Sequence, residues 1–539
     1  MVKRIVVVVC SCCFLATTTR AADEPAKLGP VIPTDAGQVR GVLAGQAGDV
    51  IAYKGIPYAM PPVGDLRWRE PQPPAKWLGI RECDKYGNAC IQRVDPVLKT
   101  IPQLALNADA SEDCLYLNVW CPAKVFGSPF PVLFWIHGGG FTTGAASQPL
   151  YDGESLARRG VVLVSINYRL GALGFLAHPA LSKESEHQVS GNYGFLDQIT
   201  ALRWVQRNIA AFGGDPKRVT IFGESAGGGS VVAMMISPLA RGLFHAAIVG
   251  SAGGGSLTPL RSSSGEQQSA EQQGVELMAK CGLPADADAA ALRKLEPDAL
   301  IKAVGGRVAS KSPGFKLPRQ PAPGPIADGY ALIDSPDAAF AAGKESAVPL
   351  IIGQTRDEVT LFMSLVSVPR TPLEYREKID DAFGADAGAV AALYPVGEGK
   401  TIREQSVRIF TDMLWGAPIR HLARQHAANG NPTYRYVFSR GSKQPPLSFM
   451  GAHHGCELAF LFGNPTNPDE LDKKVVDLIQ SYWVNFAAKG DPNGGSLMKW
   501  PRLASETDML VEFENGATVR EHYRAKQYDV MDRTSASRK

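Results

Sequence analysis

The apolar positions of this chain gather into short unbroken runs: "PVLFWIH" (131–137), "VVLVSINY" (161–168), "RVTIF" (218–222), "AAIVG" (246–250), "VPLIIG" (348–353) and "YRYVF" (434–438). Each ends in glycine or a polar turn. Apolarity that is continuous rather than alternating predicts strands buried on both faces of a mainly parallel sheet. Between them lie helical patterns, the clearest being Leu196, Ile199, Leu202, Val205, Ile209 and Phe212. Spacings of three and four put these on one helix face, and "FGGDP" stops the pattern. Strand and helix in alternation predict an α/β architecture.

The stretch 251–345 departs from this rhythm. It is rich in Gly, Ser, Ala and Pro, with short helical pieces such as 265–280. It reads as an excursion from the sheet, covering one end of it. No repeat and no linker divides the chain, so residues 22–539 read as a single domain.

Residues 1–21 read as a signal peptide. "MVKR" is a basic start, "IVVVVCSCCFLA" an apolar run, and "TTTRAADEP" small and polar, with cleavage expected after Ala21 or Ala22. The alternative is an uncleaved anchor, for which the apolar run is short. A secreted or periplasmic protein is therefore expected. Composition adds little: of 539 residues 45% are hydrophobic and 20% charged, and the formal charge of +3 falls to zero without Lys3, Arg4 and Arg20. Such a balance, with no basic tract, argues against a nucleic-acid partner. Six cysteines remain after the leader: Cys83, Cys90, Cys114, Cys121, Cys281 and Cys456. Their spacing suggests no metal site, and an exported protein permits disulfides.

The candidate chemistry begins at Gly223-Glu224-Ser225-Ala226-Gly227, between a strand-like and a helix-like run. A sharp strand-to-helix turn strains its apex residue, and flanking glycines remove the side chains that would clash. The apex hydroxyl then projects from the sheet beside a helix N-terminus, placed to act as a nucleophile. Upstream, His137-Gly138-Gly139-Gly140-Phe141 follows another strand. A tetrahedral intermediate needs amide N–H groups converging on its oxyanion, and Gly139, Gly140 and Ala226 are the candidates. A serine also needs a base oriented by an acid. "GAHHGCELAFLFG" (451–463) offers His453 and His454, and "IIGQTRDEV" (351–359) offers Asp357 and Glu358. Spacing alone does not choose within either pair.

These motifs resemble the type-B carboxylesterases, the family of cholinesterases and bacterial p-nitrobenzyl-type esterases. "EDCLYLNVWCP" (112–122) and "FGGDPKRVTIFGESAGG" (212–228) match its most specific motifs, and "NYRLGALGFL" and "GNYGFLDQ" fall in the expected order. The resemblance implies an α/β-hydrolase fold, with a mostly parallel sheet flanked by helices and insertions over the active site. It implies a serine carboxylesterase for small-molecule esters, with an acyl-enzyme intermediate, no metal or other cofactor and no stable membrane partner. By position it makes Ser225 the nucleophile, Glu358 the acid and His454 the base, with Gly139, Gly140 and Ala226 as oxyanion hole and Glu224 in support. It also implies a Cys90–Cys114 disulfide and structural salt bridges Arg67–Glu112 and Arg169–Asp197. Val359 departs from the family's glycine after the acid.

The loop between Cys90 and Cys114 has no aromatic residue, so cation–π binding of choline from it is not expected. From 299 to 327 there are five basic residues and no acidic one. The segment borders the acyl pocket in the family, which makes Lys316 and Arg319 candidates for binding a carboxylate-bearing or bulky ester; the plain alternative is a solvated basic face. Two rival functions are a non-catalytic binding protein of the same fold and a lipase. The first sets aside an intact Ser, Glu and His, and the second calls for a large apolar lid that 251–345 does not provide.

Overall fold

A computed structural model describes residues 27–536, apart from 46, 94–100, 125–127, 263–267, 305–314, 316–323, 398–400, 442, 444–446 and 505. Its centre is a 13-stranded sheet. The strands are β1 (Leu28–Pro33), β2 (Gln38–Ala44), β3 (Val50–Pro57), β4 (Ile80–Glu82), β5 (Tyr116–Pro122), β6 (Phe130–Ile136), β7 (Val162–Ile166), β8 (Gly214–Glu224), β9 (Ala246–Gly250), β10 (Leu350–Thr355), β11 (Thr433–Phe438), β12 (Leu510–Phe513) and β13 (Ala517–Arg520). In space they run β1-β2-β3-β5-β7-β6-β8-β9-β10-β11-β12-β13, with β4 beside β2. The stretch from β7 to β12 is parallel throughout. The antiparallel strands lie at the flanks. This is the α/β-hydrolase architecture.

The unbroken apolar runs have a direct cause. Along β6, Val132, Phe134 and Ile136 enter one core cluster while Leu133 and Trp135 enter the other. Side chains alternate across a strand, so a strand covered on both faces has no polar position to show. One face is covered by helix α1 (Tyr193–Asn208), which carries the stripe from Leu196 to Val205, and by helix α2 (Ala226–Ile236). Ile209 and Phe212 continue the stripe as a 3-10 turn. The other face is covered by helix α3 (Glu470–Lys489), through Val475, Ile479, Tyr482, Trp483 and Phe486.

The two structural salt bridges are in place. Arg67 binds Glu112 at 2.6 Å through Nε, and Arg169 binds Asp197 through two bonds of 2.7 Å with both side chains buried. The described part of 251–345 holds short helices, including Ala270–Lys280 with a Ser269–Gln272 capping box. Among the described residues no helix is long and apolar enough to cross a membrane.

Candidate active site

Strand β8 ends at Glu224 and helix α2 begins at Ala226, leaving Ser225 at the corner with φ 56° and ψ −123°. A non-glycine residue at that φ is strained and needs the surroundings to hold it. The hold is visible: Ser225 N donates to Gly250 O at 2.9 Å, and Gly229 N donates to Ser225 O at 2.8 Å. The flanking glycines are obligatory on space. A Cβ on Gly223 would sit 2.4 Å from the backbone of Gly227, and one on Gly227 would sit 2.0 Å from Ile136 O.

The glycine loop after β6 lies against this corner. A Cβ on Gly138 would meet Ser225 Cβ at 3.1 Å, and Gly139 and Gly140 both have positive φ (109° and 62°). Ala226 is the first residue of its helix, so its N–H has no acceptor within that helix. The loop is pinned at both ends. Tyr168 Oη donates to His137 O at 2.9 Å, and Gly144 N donates to Gln92 Oε1 at 2.7 Å. Burial holds the His137 imidazole down to about 4, and hence neutral. Gln92 comes from the Cys90–Cys114 loop, which thereby braces the glycine loop.

The members of each ambiguous pair make different contacts. His454 Nδ1 donates to Glu358 Oε2 at 2.5 Å. The other oxygen of Glu358 accepts from Thr355 N at 2.8 Å and Ser251 Oγ at 2.6 Å, and the side chain is fully buried. Asp357 and His453 turn elsewhere: Asp357 Oδ2 accepts from Ala452 N at 3.0 Å, and His453 Nδ1 donates to the backbone of His454 at 3.0 Å. With Nδ1 donating to Glu358, Nε2 of His454 is left free of a proton in the neutral ring. That Nε2 has no hydrogen-bond partner and lies 3.2 Å from Glu224 Oε1. The Ser225–His454 hydrogen bond is thus not made in this structure. Bonds of this kind are often loose without substrate and tighten when it binds.

Charge around the imidazole is concentrated. Burial opposes an imidazolium, but the carboxylates of Glu224 and Glu358 outweigh it and push His454 up to about 9. Burial, and then Glu358, raises the carboxyl of Glu224, which the His454 charge pulls back down. A third carboxyl, Glu457, is 2% exposed. Burial first, then Glu224 and Glu358, push it well above the usual carboxylate range.

Two aromatic rings wall the site. Phe362 and Trp415 stack with centroids 5.8 Å apart and planes 11° apart, and they lie 5.0 and 5.6 Å from the His454 ring. Trp415 sits in a π-helical turn, Asp412–Gly416, of the kind that often marks functional positions. Asp412 anchors that turn through Tyr394 Oη at 2.6 Å and Arg524 Nε at 2.8 Å. Neither ring nor Ser251 was reached from sequence. The unusual "DMLWG" turn carries no pattern, and Ser251 is one serine in a serine-rich stretch.

Two sequence expectations fare differently. Lys316 and Arg319 lie outside the described residues. The Cys90–Cys114 disulfide is absent: both are buried free thiols, and the neighbouring Cys90, together with burial, raises the Cys114 thiol well above its usual value. The chain has brought the two sulfurs together, and joining them is a redox step rather than a change of fold. Among the described residues no group of three or more His, Cys, Asp or Glu is placed to hold a metal ion.

The model of the carboxylesterase family matches residues 29–531. The chain is 39% identical over 482 residues to a fumonisin B1 esterase of Sphingopyxis macrogoltabida, covering 87% of this chain and 84% of that protein. It is 36% identical over 506 residues to the para-nitrobenzyl esterase of Bacillus subtilis (91% and 96% covered) and 35% identical over 518 residues to the cholinesterase of Mus musculus (88% and 81% covered). A solved para-nitrobenzyl esterase structure superposes with a TM-score of 0.77 at 34% identity, covering 93% of this chain and 99% of that one.

Proposed function

Because this chain belongs to the carboxylesterase family and is a carboxylic ester hydrolase, we propose that it works through Ser225, His454 and Glu358 and an acyl-enzyme. The observation that carries this reading is the 2.5 Å bond from His454 Nδ1 to Glu358 Oε2. It fixes the tautomer that leaves Nε2 as the base. Ser225 Oγ attacks the ester carbonyl while His454 Nε2 takes its proton. Glu358 stabilises the imidazolium. The N–H groups of Gly139, Gly140 and Ala226 receive the oxyanion, where such donors lower the barrier by about 3–4 kcal/mol each. The imidazolium then protonates the departing alcohol. Water, deprotonated by the same histidine, releases the acid.

An organophosphate tests the assignment. Phosphorylation should fall on Ser225 in the wild type and vanish in Ser225→Ala. Labelling of another residue, with activity lost in step, would refute it.

For the substrate, we propose an ester with a free carboxylate or a bulky acyl part, met by Lys316 and Arg319. The run of basic residues from 299 to 327 supports this, and the relative named a fumonisin B1 esterase places that compound among the first to test. The leader-like segment 1–21 supports secretion or export to a periplasm.

A further inference from the structure

The acid and the base come from separate loops, and only their own hydrogen bond would join them were their backbones independent. They are not. The residue before Glu358 and the residue two before His454 are tied to each other twice. Asp357 N donates to Ala452 O at 3.0 Å, and Asp357 Oδ2 accepts from Ala452 N at 3.0 Å. Around this pair the contact is extended. Thr360 Oγ1 lies 2.7 Å from both Asp357 O and Met450 O, so one hydroxyl links the turn after Glu358 to the start of the histidine loop. Arg356 holds the same Oδ2 through Nε and Nη2 at 3.2 and 3.1 Å, and its own N–H donates to Phe438 O at the end of β11. Gly451 has φ 63°, and a Cβ there would sit 2.5 Å from Asp357 Oδ2. The loop is therefore shaped to bring its backbone onto this carboxylate.

We infer that Asp357 is a positioning residue for His454, its carboxylate and amide clasping Ala452 so that the histidine loop stays in register with Glu358. The inference rests on the proposed triad. Asp357 is not the acid itself, because its bonded oxygen is turned to Ala452 and Arg356 while Glu358 takes the imidazole. Its task is geometric. Removing the carboxylate leaves Ala452 N without its acceptor, and a displaced base of about 1 Å can cost about 10²-fold in rate.

Steady-state kinetics of Asp357→Ala, Asp357→Asn and Thr360→Val, with Ser225→Ala alongside, test this. Asp357→Ala should lower kcat by about 10- to 100-fold with KM changed by no more than about twofold, since only the alignment of the base is altered. Asp357→Asn keeps an acceptor oxygen for Ala452 N and should restore kcat to within about threefold of wild type. Thr360→Val, which keeps the shape and removes the hydroxyl, should lower kcat in the same direction even if Asp357→Ala fails to fold. Wild-type kcat in Asp357→Ala, or an Asp357→Asn enzyme as slow as Asp357→Ala, would overturn the inference. A Ser225→Ala enzyme that stays active would instead bring down the triad reading beneath it. Dead Ser225→Ala beside unimpaired Asp357→Ala and Thr360→Val would overturn the clasp alone.

Discussion

Nε2 of His454 stands 3.2 Å from Oε1 of Glu224, the residue immediately before the corner serine. A carboxylate at that distance favours the imidazolium and, with Glu358, raises the histidine to about 9. The proposed mechanism uses the neutral ring as base, so kcat/KM should rise with pH toward about 9 in the free enzyme. Glu224→Gln removes a negative neighbour, which lowers the histidine and moves the acid limb to lower pH, by about 1 to 3 pH units. A pH profile of kcat/KM for both enzymes checks the sign. A limb that stays in place, or moves up, contradicts the assigned coupling.

The corner itself is held by packing. A Cβ on Gly227 would sit 2.0 Å from Ile136 O. Gly227→Ala must therefore push β6 and α2 apart, and overpacking of this kind costs about 1–3 kcal/mol or more. Thermal unfolding should shift down by several degrees, and kcat should fall because Ala226 N and the glycine loop move with it. Unchanged stability would mean that the elbow has slack that these distances deny.

The basic segment makes a prediction about substrate choice. Lys316→Ala and Arg319→Ala should raise KM for a carboxylate-bearing ester by roughly tenfold, the order of one charge-assisted hydrogen bond, and leave a neutral ester of the same size nearly unaffected. Paired kinetics on the two esters separate this from a general defect. Equal effects on both would leave the segment a solvated basic face.

The paired thiols give a redox prediction. Cys90 and Cys114 are buried neighbours with free thiols. In protein exported to an oxidising compartment the two should be linked, and peptide mapping without reductant should find the cross-linked pair. Reduction should lower stability by about 2–4 kcal/mol. Two separately alkylated peptides from exported protein would contradict the pairing.

Much of this is legible in the sequence. The runs at 131–137, 218–222 and 348–353 announced strands because a strand covered on both faces cannot hide its apolarity. The flank strands β1, β2 and β4 were less visible, since they are partly exposed and mix polar with apolar positions. At the site, Gly223-Glu224-Ser225-Ala226-Gly227 was readable because the corner excludes other residues by contact. Adjacent pairs such as Asp357 and Glu358 were not separable by pattern alone. Both are carboxylates, and what distinguishes them is the direction each takes at the start of a 3-10 helix. Ser251, and the charge coupling of Glu457, were illegible for a similar reason. Their importance comes from neighbours distant in sequence, Glu224 and Glu358.

The central claim is that Ser225 forms the covalent bond, and the catalytic constant of Ser225→Ala against a simple activated ester tests it most directly. Members of such a constellation act as a unit, so kcat should fall by about 10⁴-fold or more while the protein stays folded. Rapid quenching of the wild type should trap an acyl group on Ser225. A folded Ser225→Ala enzyme turning over within about tenfold of wild type, with no acyl group on Ser225 in the native protein, would contradict the account.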